Sequence, residues 1–104
     1  MDRVVISGKE YRVEVNWRSI LAFLSLKETD KMEILGSMSV PDWVDLMCMC
    51  IIEGERQGGN DVSKTIAEEV FKLRPNEVIE AVSKFIEIYG AQSTPKLPDG
   101  PKKD

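Results

Sequence analysis

The sequence predicts an α+β, mostly helical domain: an N-terminal β-hairpin followed by a compact bundle of about four helices. Three observations carry that reading. Arg3 to Asn16 alternates apolar and charged residues around a Ser-Gly turn. Val40 to Arg56 is the longest nearly uninterrupted apolar run, with residues that start and stop a helix at its two ends. Asn76 to Tyr89 has the clean two-sided pattern of a helix lying on a core. A length of 104 residues with 42% hydrophobic composition suits one domain. That domain is expected over residues 1–92, with 93–104 as a Pro- and Lys-containing tail.

In the hairpin, Val4 and Ile6 precede the turn, and Tyr11, Val13 and Val15 alternate with Arg12 and Glu14 after it. Ser7-Gly8-Lys9 forms the turn, with Gly8 supplying a positive φ. A lone hairpin is marginal, so its apolar face must lie on helices. Its exposed edges can also pair with a second copy or a partner strand. Asn16 caps a first helix, Trp17 to Lys27, whose inward stripe is expected to be Trp17, Ile20, Leu21 and Leu24. Phe23 and Leu26 then fall on the other side. That arrangement suits either a helix sandwiched between hairpin and bundle or a helix with a docking patch.

A short helical turn is expected over Lys31–Leu35, ended by Gly36-Ser37. The central helix follows. Ser39 and Asp42 form a capping box variant, Pro41 fits the first turn, and Gly58-Gly59 ends the helix. Trp43, Leu46, Met47, Cys50 and Ile51 form its stripe, widened by Val44, Cys48 and Ile52, with Gly54 on the same side to admit a close neighbour. The narrow polar remainder holds Asp42, Asp45, Glu53 and Arg56, with Met49 among them. A further helix spans Ser63–Leu73, with Ile66, Val70 and Leu73 inward and Phe71 on the shoulder. Arg74-Pro75 breaks it. In the last helix Val78, Val82, Phe85, Ile86 and Tyr89 face inward, Glu80 and Lys84 are spaced for an ion pair, and Gly90 is the stop.

Composition excludes several functions. The net charge is −4, and no basic cluster precedes the tail, which argues against nucleic acid. The central run is short of the roughly 20 apolar residues that a membrane span requires. Met1-Asp2-Arg3 leads directly into a strand, so no signal peptide is expected, and free buried cysteines suit a cytoplasmic setting. The absence of histidine removes the commonest general base and every Ser-His or Cys-His pair. Cys48 and Cys50 lie two apart on a helix and point about 200° from each other, so they cannot pair, and two thiols without histidine make no zinc site. Glu53 and Glu55 diverge by the same angle and are not expected to share a site. Neither a catalytic residue nor a cofactor is expected.

Two segments carry a family resemblance. Ile6 to Val13 has the form I-x-G-K-E-Y-x-V and leads into a helix. Glu53-Gly54-Glu55-Arg56-Gln57-Gly58-Gly59 has the form EG-[AE]-R-x-x-G at the end of a helix, and two helices then close the domain before a polar tail. Over about residues 4–90 the chain resembles the small tail assembly chaperones of long-tailed bacteriophages and prophages. It departs from the family pattern at Glu55, where a small residue is frequent. The resemblance implies a non-enzymatic protein of the bacterial host cytoplasm. Such a protein would coat the tape measure protein until tail tube protein polymerises around it, act in many copies, and bind no membrane or nucleic acid. A longer form made by ribosomal frameshifting near Lys102-Lys103 is a further implication. Phe23, Leu26 and Met49 are the spare apolar positions expected to bind the partner. Self-association into a homo-oligomer is also compatible with this reading. The alternatives are another phage structural or connector protein and a small protein-binding adaptor.

Overall fold

The computed structural model describes residues 2–93. Strands β1 (Arg3–Ile6) and β2 (Lys9–Arg12) form an antiparallel hairpin, followed by α1 (Trp17–Leu26), a 3-10 turn (Met32–Gly36), α2 (Val40–Gln57), α3 (Ile66–Phe71) and α4 (Pro75–Ser93). The fold is thus α+β and mostly helical, with the hairpin first and the helices after it. Ile6 pairs directly with Lys9, so the turn is the two residues Ser7 and Gly8, with φ of 54° and 80°. Positive φ at both positions is the turn whose twist matches paired strands, and glycine at the second lowers its cost.

Helix α2 is the axis of the molecule and touches α1, α3, α4 and β2. Its start has the reciprocal cap that Ser39 and Asp42 suggested: the Asp42 amide donates to Ser39 Oγ at 3.3 Å, and the Ser39 amide donates to the Asp42 carboxylate at 3.2 Å. Its end is a Schellman turn, in which Gly59 at φ 90° lets the Asn60 amide reach back to the Glu55 carbonyl at 2.8 Å. Leu46, Met47, Cys50 and Ile51 have no exposed surface. They meet Val4, Ile6 and Val13 of the hairpin, Phe23 of α1, Ile66 of α3 and Phe85 of α4 in a single core. Trp43 packs edge-on against Phe85 and Tyr89, at 6.2 and 5.4 Å between ring centroids.

Several helix faces differ from the sequence expectation. On α1 the buried residues are Ser19, Ile20, Phe23 and Leu24, whereas Trp17 and Leu21 are exposed. Polar ties at the two ends of the helix fix its rotation. Asn16 Nδ2 donates to Glu53 at 2.8 Å, and Lys27 Nζ reaches Asp42 and Asp45 at 2.8 and 2.6 Å. Asn16, Ser19, Phe23 and Lys27 recur at helical spacing, so holding the ends turns Phe23 inward and Trp17 out. Phe23 is therefore core, which overturns its reading as spare surface. On α4, Ala81 and Ile88 are buried while Ile86 is partly exposed, and Glu80 and Lys84 form no ion pair among the described residues.

Gly90 does not stop α4, which continues to Ser93. Its last turn is held by Gln92, whose side chain accepts from the Val15 amide at 2.7 Å and donates to Asp2 at 2.9 Å. These bonds offset the helix-interior cost of glycine, about 1 kcal/mol. The rest of the expected tail, 94–104, and the frameshift position within it lie outside the described residues.

Candidate functional site

The heptapeptide Glu53–Gly59 is the most densely bonded part of the molecule. Glu53 was expected on the polar face, with Glu55 pointing about 200° from it; both are buried, at 3% and 7% exposure. Glu53 accepts from Arg56 Nε at 2.9 Å, Arg56 Nη2 at 2.9 Å, Asn16 Nδ2 at 2.8 Å and Gln57 Nε2 at 3.0 Å. The Arg56 pair, helped by Asn16 and Gln57, lowers its carboxyl to about 2 against the opposing effect of burial. Glu55 takes the Arg12 amide at 2.7 Å and Asn60 Nδ2 at 3.0 Å.

Gly54 lies between these two carboxylates. A Cβ there would sit 2.4 Å from the Arg12 carbonyl oxygen and 2.8 Å from the Val13 nitrogen. The glycine therefore admits a close neighbour as expected, but the neighbour is the end of β2 and not a helix. One step further the Glu14 amide donates to the Cys50 carbonyl at 3.1 Å. The motif is a clasp that ties the end of α2 to the strand-to-helix corner. Its carboxylates are fully engaged in holding the chain together.

The thiols are equally closed to chemistry. Burial pushes Cys48 and Cys50 up to about 12, so neither is a thiolate near neutral pH. Among the described residues no group of three or more His, Cys, Asp or Glu side chains is placed to hold a metal ion. No described helix is long and apolar enough to cross a membrane.

The surface feature with a ligand-like shape is an apolar groove of about 500 Å³. It is lined by Val40, Pro41 and Val44 of α2, Val70, Phe71 and Leu73 at and after the end of α3, and Pro75, Val78 and Ile79 of α4. Phe71 is 75% exposed, Ile79 61% and Val40 58%. Such a cluster costs solvation in the free protein and is the usual mark of a protein-contact site. Its polar member, Asp45, is committed to Lys27.

The partner-binding residues expected from the sequence do not meet here. Phe23 is buried, Leu26 is half exposed at the end of α1, and Met49 is half-buried against the core, all outside the groove. Trp17 and Leu21, one turn apart on α1, are exposed instead. Sequence reasoning passed over Ile79 and Val40. Ile79 carried a signal, because it is a large apolar residue beside the buried stripe of the helix with the clearest two-sided pattern. Phe71 was placed only on a shoulder. It is the last residue of α3 and is 75% exposed.

Compared with known proteins, the chain matches no family model, no curated protein and no solved structure.

Proposed function

We propose that this protein is a non-enzymatic binding protein of the tail assembly chaperone kind, which holds a long helical client, the tape measure protein, until tail tube protein displaces it. The observation that carries the reading is the groove between α2, α3 and α4. It offers Phe71, Ile79, Val40 and Val78 as one apolar depression, a shape that accepts a few large side chains from one face of a helix. Contacts of this size are weak singly and exchange readily, which suits a client that must later be released. The buried thiols and the fully bonded Glu53 and Glu55 support a role without bond-making chemistry. The sequence resemblance supplies the client and the setting, the bacterial host cytoplasm.

The test is co-expression with a tape measure protein. The native chain is expected to raise the soluble yield of that client and to co-purify with it. Phe71→Ser combined with Ile79→Ser is expected to lose both effects while unfolding at nearly the same urea concentration as the native chain. An unaltered soluble yield with the native chain sinks the proposal. Closed rings of fixed size formed by the protein alone, measured by light scattering, point to a connector instead.

A further inference from the structure

The two edges of the hairpin are treated differently. Register assigns the backbone groups: Val4 and Ile6 face Tyr11 and Lys9 as the hydrogen-bonded pairs, and the Val13 amide donates to the Asp2 carbonyl at 2.9 Å, so the amides and carbonyls of Arg3 and Val5 point away from β2. By the same alternation Glu10, Arg12 and Glu14 point away from β1. That second edge is sealed by α2, through Glu55 on the Arg12 amide, the Cys50 carbonyl on the Glu14 amide, and Gly54 against the Arg12 carbonyl. The β1 edge has no such seal among the described residues. It borders a cleft of about 450 Å³, lined on the hairpin side by Arg3, Val5, Ser7, Gly8 and Glu10 and on the other by Leu73 and by Glu77, Glu80, Ala81 and Lys84 of α4.

We propose that the β1 edge is a second binding site, which takes an extended, lysine- or arginine-bearing segment of a partner as a third strand. Unpaired amides and carbonyls at alternate positions are complementary to an extended backbone and to no other conformation. Helix α4 packs against β1 and bounds the cleft beside this edge, which leaves room for a single extended segment in preference to a whole second domain. On such a strand every other side chain points toward α4. A basic residue there meets Glu80, whose side chain has no hydrogen-bond or ion-pair partner among the described residues, and its methylene stem covers Ala81; Glu77 already takes the Arg74 amide, and the three carboxylates of the cleft, Glu10, Glu77 and Glu80, outnumber its two cations, Arg3 and Lys84. The intervening side chains lie beside Val5, which is exposed on the outer face. This site adjoins the α2–α3–α4 groove only at Leu73, which lines both, and does not depend on the helical client.

The experiment is an amide NMR titration of the whole chain with a short, end-blocked peptide of alternating lysine and valine. The Arg3 and Val5 amides are expected to shift most and to become protected from hydrogen exchange. Val5→Pro removes an amide that the hairpin does not use, so it is expected to weaken the peptide at least about tenfold while the Val4 and Ile6 amides stay protected. Glu80→Lys, on the helix and remote from the strand backbone, is expected to weaken it several-fold and decides the matter if Val5→Pro unfolds. A peptide with glutamate in place of lysine is expected to bind more weakly. Shifts centred on Phe71 and Ile79, equal binding by Glu80→Lys, or concentration-dependent protection of Arg3 and Val5 without peptide would each overturn the proposal, the last by making a second copy the occupant.

Discussion

Glu53 and Gly54 carry the sharpest consequences of single side chains. Glu53 is held ionised by Arg56, Asn16 and Gln57, its carboxyl lowered from 4.5 to about 2. A lowered value means that its stabilisation is present above the ordinary carboxylate range and is lost as pH falls from about 4.5 toward 2. Asp42, lowered by Lys27 and by the Ser39 cap, acts in the same direction. Urea midpoints measured from neutral pH downward are expected to fall steeply in that window. Glu53→Gln is expected to cost about 2 kcal/mol at neutral pH and to flatten part of the acid slope. Gly54 and Gly90 are both helical glycines with opposite expectations. Gly54→Ala places a Cβ inside contact distance of the Arg12 backbone and is expected to destabilise by about 3 kcal/mol. Gly90→Ala meets nothing within 4 Å among the described residues and is expected to stabilise by about 0.5–1 kcal/mol, both read by urea unfolding.

Among the elements, α1 shows how polar ties choose between two apolar faces. Its sequence offers Trp17, Ile20, Leu21 and Leu24 as one stripe and Ile20, Phe23 and Leu24 as another. Hydrophobicity favours the first. The tie of Asn16 to the buried Glu53 at one end, and of the partly exposed Lys27 to Asp42 and Asp45 at the other, goes with the second, because a buried carboxylate such as Glu53 is costly to leave unpaired. Thermal unfolding separates the two faces. Phe23→Ser is expected to cost about 4 kcal/mol, enough to unfold much of so small a domain, whereas Leu21→Ser is expected to cost under about 1 kcal/mol. The hairpin shows the same principle between strands: β2 is closed by the clasp from α2, and β1 is left with its alternate amides open.

At the scale of the whole molecule, local signals were legible and relative placement was not. Capping residues, the Ser-Gly turn and the Pro75 break were readable because each acts on its own few residues. The buried acids were missed for the opposite reason. Glu53 and Glu55 look like surface charge until Asn16 and Arg12 arrive from distant parts of the chain. The groove is likewise a product of assembly: Val40, Phe71 and Ile79 come from three helices, and no spacing in the sequence links them. By itself the sequence determined the kind and order of the elements, and that α2 would be buried, since periodicity and caps are local physics; the limits of α3, expected over Ser63–Leu73 and found at Ile66–Phe71, and the end of α4 beyond Gly90 were not fixed by it. Only the tertiary structure decided which face of α1 and α4 is inside, what Gly54 makes room for, and which apolar side chains stay in water, because those depend on how far-apart polar groups find partners when the elements pack.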